Sequence, residues 1–425
     1  MGFSFLKMNI NKLYSIFSNN PVICTDSRKI IKGSIFFSLK GKNFNGNKYA
    51  LQAVNEGCKF AIIDEEKFAI NKKLILVKDS LKTLQRLATL HRQKIDIPII
   101  GITGTNGKTT SKELIKCILS SQLNCYATKG NLNNHIGIPL SILEINDEHE
   151  IAVIEMGANH QKEIEFLCKI VKPSHAAITN IGNAHLLGFK NFNGVIKTKN
   201  EIYQYIAANK GLLFVNVEDK LLMNLSEKID RTTYGNVADI SGKMTKYENK
   251  LCVSYKNNII KSNLIGDFQF SNIMLSICIG ENFNILEENI KSSIQKYIPN
   301  NNRSQIIKTK ENTLILDAYN ANPSSMEAML ISFSKQNYLN KICILGDMLE
   351  LGEYSLIEHQ KIISLCKKLK IKSYFIGEEF HNVNNTIFRT RKDFERKLNS
   401  DPIKGKMILL KGSRSIGLEN LVEYL

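Results

Sequence analysis

The sequence predicts an α/β protein of three domains, and three observations carry that prediction. Short, almost wholly apolar runs of strand length recur along the chain and alternate with stretches of helical periodicity. Polar turn residues follow the carboxyl ends of the central runs, as in parallel sheets whose strand ends line a crevice. Finally, 425 residues exceed what a single hydrophobic core organises.

The elements follow in order. Residues 34–39, 60–63 and 74–77 read as short strands separated by helix-like stretches and set off a first region ending near residue 96. From residue 97 the strand–helix alternation becomes regular, with buried-type strands at 99–102, 151–155, 176–179 and 212–215. Residues 239–265 read as a β-rich excursion. The polar, turn-prone segment Ile298-Pro-Asn-Asn-Asn-Arg303 then breaks the pattern. A second series follows, with strands at 314–316, 342–345, 374–376 and 407–410. These breaks give expected domains of 1–96, 97–300 and 301–425.

Bulk properties narrow the function classes. At 43% hydrophobic and 23% charged residues, the composition is that of a globular protein. No apolar run reaches the roughly 18–20 residues needed to cross a bilayer, and the first residues lack a signal-peptide core, so a cytoplasmic location is expected. Nine cysteines contain no C-x-x-C pair, which indicates neither a disulfide framework nor a zinc site. The net charge of +17 is spread along the chain beside abundant Asn and Ile rather than gathered on a tail, which argues against a nucleic-acid partner.

Residues 98–113, Pro-Ile-Ile-Gly-Ile-Thr-Gly-Thr-Asn-Gly-Lys-Thr-Thr-Ser-Lys-Glu, carry the most specific chemistry. An apolar strand runs into a Gly/Thr-rich turn, and Lys108 and Thr109 open a helix. Small residues let the backbone close on phosphate oxygens, while the helix N-terminus supplies unpaired N–H groups and a positive dipole end. Lys108 can neutralise β/γ-phosphate charge, and the Thr109 hydroxyl can ligate Mg²⁺. The strict P-loop pattern wants glycine where this chain has Ile102; the glycines stand instead at 101, 104 and 107. The loop is therefore a variant.

Other polar residues fall at strand ends. Glu155 closes Ile151-Ala-Val-Ile and is a candidate Mg²⁺ ligand; alone, it reads equally as a surface acid. His185 follows the next strand in the same way. Asp317, at the end of Leu314-Ile-Leu, suits a ribose hydroxyl or a helix N-cap. Lys411-Gly-Ser-Arg-Ser415 reads as an anion-binding turn or a solvated loop, and Arg28 in Thr25-Asp-Ser-Arg can fork onto a phosphate.

Eight segments in this order resemble the Mur ligases: Thr25–Arg28, Gly101–Thr110, Gly130–Pro139, Glu155–His160, Asn180–Leu186, Asp317–Pro323, Leu345–Gly352 and Lys411–Ser415. Asp317-Ala-Tyr-Asn-Ala-Asn-Pro and Gly346-Asp-Met-Leu-Glu-Leu-Gly look like the members that add D-alanyl-D-alanine. The resemblance implies a small N-terminal α/β UDP-binding domain, a central P-loop-type parallel-sheet ATPase domain and a C-terminal Rossmann-like α/β domain. It implies an ATP-dependent ligase that adds D-Ala-D-Ala to UDP-N-acetylmuramoyl-tripeptide through an acyl phosphate, working as a cytoplasmic monomer with Mg²⁺ at two sites.

By the same resemblance, Gly104, Thr105, Asn106, Gly107, Lys108, Thr109 and Thr110 would wrap the ATP phosphates. Asn272, Arg303 and Asp317 would contact the nucleotide, Ser27 and Arg28 the UDP group, and Asn131, Asn133 and Asn134 the muramoyl-peptide side. Thr109, Glu155, His185 and Lys199 would hold metal, with Lys199 as a carbamate. Where the family shows Gly-x-His-Asn-x-x-Asn, this chain has Gly266-Asp-Phe-Gln-Phe-Ser-Asn272, which leaves the adenine contacts open. Alternatives are another Mur ligase, a folylpolyglutamate synthase-like ligase, or a nucleic-acid-binding P-loop NTPase.

Overall fold

In a computed structural model, residues 9–184, 186–247, 250–384 and 387–425 are described. The chain packs as two compact units. One takes the residues up to Gly101 together with Leu123–Ala158 and Glu163–His175; the other takes Ile102–Gln122, Asn159–Lys162 and Ala176–Leu425.

The first unit opens with a four-stranded sheet of β1 (Ile23–Cys24), β2 (Ile35–Phe37), β5 (Phe60–Ile63) and β6 (Leu74–Leu76), neighbours in that order and all parallel. A small antiparallel pair, β3 (Lys40–Gly41) and β4 (Phe44–Asn45), projects between β2 and β5. The predicted strand at 34–39 is shorter than expected, because the chain turns into that pair after Phe37. A helix at Ser80–Lys94 follows, and the Asp79 side chain accepts from the Lys82 amide to cap it.

A nine-stranded sheet runs in the order β15-β14-β13-β12-β11-β10-β7-β9-β8. Its members are β7 (Ile99–Thr103), β8 (Cys125–Ala127), β9 (Ile151–Glu155), β10 (His175–Ile178), β11 (Leu212–Asn216), β12 (Arg231–Gly235), β13 (Ile240–Tyr247), β14 (Lys250–Tyr255) and β15 (Asn258–Lys261). Every residue of β7 and β9 is buried, which is why both read as continuous apolar runs rather than alternating ones. β13, β14 and β15 pair antiparallel and form the β-rich excursion expected at 239–265. Against the second unit's strands, helix Lys108–Leu119 packs on helix Gln269–Asn282, whose Ile273, Met274, Leu275, Ile277, Cys278 and Ile279 are fully buried.

The C-terminal part of the second unit is a five-stranded sheet ordered β16-β17-β20-β18-β19. Its strands are β16 (Gln305–Lys308), β17 (Thr313–Asp317), β18 (Lys341–Gly346), β19 (Lys372–Ile376) and β20 (Met407–Lys411). β17, β20, β18 and β19 are parallel, and β16 is an antiparallel edge. Sheet order reverses between β19 and β20, so one face packs helix Pro323–Lys335 and helix Ser355–Lys368 while the other packs helix Arg391–Ser400. The carboxyl ends of β17, β18 and β20 deliver Asp317, Asp347 and Lys411 to one edge of this sheet.

Candidate active site

The loop after β7 is shaped by two glycines that no other residue replaces without strain. Gly104 has φ of +143° and a Cβ there would meet Thr179 Oγ1 at 2.0 Å; Gly107 has φ of +80° and a Cβ would meet Asn272 Oδ1 at 2.5 Å. Between them the loop is clamped by the residues that follow β10. The Thr105 amide donates to the Asn180 carbonyl at 2.9 Å, and the Asn106 amide to Asn180 Oδ1 at 3.0 Å. Thr179 Oγ1 and Asn180 Nδ2 both donate to the Asn106 carbonyl, at 2.6 and 2.9 Å. Thr105 Oγ1 donates to the Gly182 carbonyl at 3.2 Å, and the Gly182 amide donates back at 2.9 Å.

Lys108 opens the helix that follows, and its Nζ folds back onto the loop to donate to the carbonyls of Gly104 at 2.7 Å and Thr105 at 3.0 Å. Thr109 and Thr110 are buried beside it. A glycine cradle without room for Cβ atoms, a lysine over it and a helix N-terminus beneath it fit a polyphosphate. His185 lies outside the described residues. Lys199, 3% exposed on helix Phe192–Ala208, lays its ammonium over the Phe189 ring at 5.8 Å.

Segments distant in sequence complete the second unit's site. Asn106 Nδ2 donates to Ser324 Oγ at 2.9 Å, and Asn322 Nδ2 donates to Asn106 Oδ1 at 2.8 Å. Asn322 also caps helix Pro323–Lys335, its Oδ1 accepting from the Ser325 amide with Pro323 at the first helical turn. Asp317 receives Lys411 Nζ at 2.6 Å and the Ser304 amide at 3.0 Å. Arg303 stacks on the Tyr319 ring at 3.8 Å.

In the first unit, Glu155 is 2% exposed, its amide held by Thr128 Oγ1 and its Oε1 accepting from Asn133 Nδ2 at 2.8 Å. Asn134 spends its side chain on the Ile136 and Gly137 amides, closing the turn before helix Gly137–Leu143, while Asn131 is exposed. Arg28 forks onto Asp26, with Nε and Nη2 both at 2.9 Å, and this pairing holds the Asp26 carboxyl down at about 2. Ser27 is half-buried between them.

Family models match two stretches of the chain: the Mur ligase middle domain over residues 102–280 and the Mur ligase, glutamate ligase domain over 302–414. A Bacillus subtilis protein named UDP-N-acetylmuramoyl-tripeptide–D-alanyl-D-alanine ligase is 32% identical over 95% of this chain and 92% of its own length. This chain belongs to the Mur ligases.

The solved structure of MurF from Acinetobacter baumannii matches with a TM-score of 0.84 at 28% identity, covering 94% of this chain and 92% of that one. The fold is likewise that of the Thermotoga maritima MurF in complex with ADP, with a TM-score of 0.83 at 24% identity over 95% and 97% of the two chains. The three-domain α/β architecture is therefore that of the Mur ligases, as the motifs implied.

The departure from the Mur ligase pattern at 266–272 has a local account. Gln269 Oε1 accepts from Asn272 Nδ2 at 2.7 Å, and Asn272 Oδ1 accepts from Ser111 Oγ at 3.1 Å while bracing Gly107. Gln269 thus fixes the amide of the retained asparagine against the phosphate loop. Sequence reasoning missed the part played by Asn322 and Ser324, which lie 216 and 218 positions beyond Asn106 and have no local signal beyond the Asn-Pro helix start.

Proposed function

We propose that this chain joins D-alanyl-D-alanine to UDP-N-acetylmuramoyl-tripeptide, forming an amide at the expense of ATP in peptidoglycan precursor synthesis. What supports this most is near end-to-end kinship with the Bacillus subtilis ligase of that name, together with a phosphate loop braced by the Asp317–Pro323 segment. The domains would run 1–96 for the UDP-sugar group, 97–300 for ATP and 301–425 for ligation, in a cytoplasmic monomer. Among the described residues, no helix is long and apolar enough to cross a membrane.

The tripeptide carboxylate is a poor electrophile. One of its oxygens attacks the γ-phosphorus of ATP, ADP leaves, and an acyl phosphate forms. The D-Ala-D-Ala amine then attacks the acyl carbon, loses a proton, and inorganic phosphate leaves from a tetrahedral intermediate. Gly104–Thr110 would hold the phosphates, with Lys108 drawn from its loop carbonyls onto the γ-phosphate. Asn272, Arg303 and Asp317 would contact the nucleotide. Ser27 and Arg28 would take the UDP group, and Asn131, Asn133 and Asn134 the muramoyl peptide.

Mg²⁺, when bound, spreads the charge that develops on the transferring phosphoryl group. Thr109, Glu155, His185 and Lys199, the last as a carbamate, would hold it at two sites. Positioning supplies much of the remaining acceleration, since there is little other covalent work for side chains to do.

The test is ATP-dependent phosphate release with UDP-N-acetylmuramoyl-tripeptide and a panel of amines. Release that requires D-Ala-D-Ala, and not single amino acids or glutamate, supports the reading. Release with glutamate alone overturns it.

A further inference from the structure

Tyr319 carries two cations, not one. Arg303 Cζ lies 3.8 Å from the ring centroid, and Arg414 Cζ, from the turn after β20, lies 5.2 Å from the same centroid. Both guanidiniums lie within 5.2 Å of one ring centroid, so two like charges are held near each other, though the exposure of Arg414 screens their repulsion. Among the described residues, neither has a carboxylate partner. The acid carried on the same segment, Asp317, is committed to Lys411 and the Ser304 amide. Arg303 Nε is moreover buried with no hydrogen-bond acceptor, a cost that native structures seldom leave standing.

The surroundings fix this pair in place. The Tyr319 amide donates to the Asn302 carbonyl at 3.2 Å, which ties the ring to the residue before Arg303. Beside Arg414, the Ser413 amide donates to the Asp347 carbonyl at 3.0 Å and Ser413 Oγ accepts from the Leu349 amide at 3.1 Å. Three residues beyond Tyr319, Asn322 bonds to Asn106 of the phosphate loop. The two arginines thus stand on a rigid frame that joins the phosphate loop to the 345–352 segment.

We propose that Arg414 is a substrate-binding residue, forming with Arg303 a two-guanidinium cradle on the Tyr319 ring for an anionic oxygen group. Guanidinium forks match carboxylate and phosphate alike, and an anion bound by both relieves the repulsion between them. The assignment rests on the proposed ligase reaction. That reaction offers two anions of this shape: the terminal phosphate of ATP and the free carboxylate of the incoming dipeptide.

The experiment is steady-state kinetics of the full chain, Arg414→Ala and Arg414→Lys, with ATP, D-Ala-D-Ala and D-alanyl-D-alaninamide. Arg414→Ala is expected to raise KM for one anionic substrate about tenfold or more, with part recovered in Arg414→Lys and the melting temperature unchanged. A rise for D-Ala-D-Ala, with loss of discrimination against the amide, identifies the carboxylate. A rise for ATP identifies the phosphate. KM values for both within about twofold of wild type overturn the cradle, whatever happens to kcat. Wild-type protein without D-Ala-D-Ala-dependent turnover would instead defeat the proposed reaction, so the two failures are told apart by the wild-type control.

Discussion

The side-chain amide of Asn322 donates to Asn106 Oδ1 at 2.8 Å, so the phosphate loop is braced by the N-cap residue of a helix that lies more than two hundred positions away in the chain. Asn106 Nδ2 completes the brace on Ser324. Both asparagines use each side of their amides, leaving no freedom to rotate without losing a bond.

Asn106→Ala removes both links while leaving the helix cap intact. Two hydrogen bonds at roughly 0.5–1.5 kcal/mol each predict a loss of about 1–3 kcal/mol in unfolding free energy, and the unbraced loop should raise KM for ATP. Asn322→Ala should add a loss of about 1 kcal/mol in unfolding free energy, because the cap on Ser325 goes too. Parallel ATP kinetics and denaturant melts separate the two effects.

Gly104→Ala is predicted to abolish nucleotide binding and to destabilise the fold. The new Cβ meets Thr179 Oγ1 at 2.0 Å in a backbone region that L-residues avoid. Adding Thr179→Ala removes the clashing hydroxyl but not the backbone strain. Calorimetric titration with ADP should therefore show partial recovery in the double variant, and full recovery would contradict the strain argument.

Lys411→Met should cost about 3 kcal/mol or more, since Lys411 is 2% exposed and its loss strands the Asp317 carboxylate. Lys411→Met with Asp317→Asn removes both charges and should return much of the stability without restoring activity. Urea unfolding of the three proteins checks this.

How much of this was legible in the sequence follows from what is local. The apolar runs expected at 99–102 and 151–155 and the glycines of the phosphate loop are set by short-range chemistry, and they stand where the pattern put them, the first strand running one residue further to Thr103. β12 and β16 were not legible: Arg231-Thr-Thr-Tyr-Gly and Gln305-Ile-Ile-Lys are too polar and short to rise above loop signals, and their sheet neighbours decide them. The Arg303–Tyr319–Arg414 stack and the Asn106–Asn322 brace join residues whose separation carries no pattern. Gln269 looked like a departure because the hydrogen bond that explains it, to Asn272, becomes visible only on a helix.

The first unit should weaken in mild acid. Burial pushes the His91 imidazole below its ordinary pKa, and burial does the same to His175. The Ile145 carbonyl, 2.7 Å from His91 Nε2, and the Asp147 charge pull the other way, but burial outweighs both, and Tyr14 Oη sits 3.1 Å from Nδ1. With folded values depressed, the unfolded chain takes up protons first. Stability is thus complete above about pH 6.5 and falls as pH drops from there toward the folded values. His91→Gln should flatten part of that slope in melts between about pH 7 and 5.

The central claim, that ATP activates the tripeptide carboxylate as an acyl phosphate, is tested most directly by isotope transfer. UDP-N-acetylmuramoyl-tripeptide labelled with ¹⁸O in its terminal carboxylate is turned over with ATP and D-Ala-D-Ala, and the released phosphate is weighed by mass spectrometry. One ¹⁸O per phosphate, with ADP as the nucleotide product, is the predicted result. Unlabelled phosphate, or release of AMP, would contradict the account.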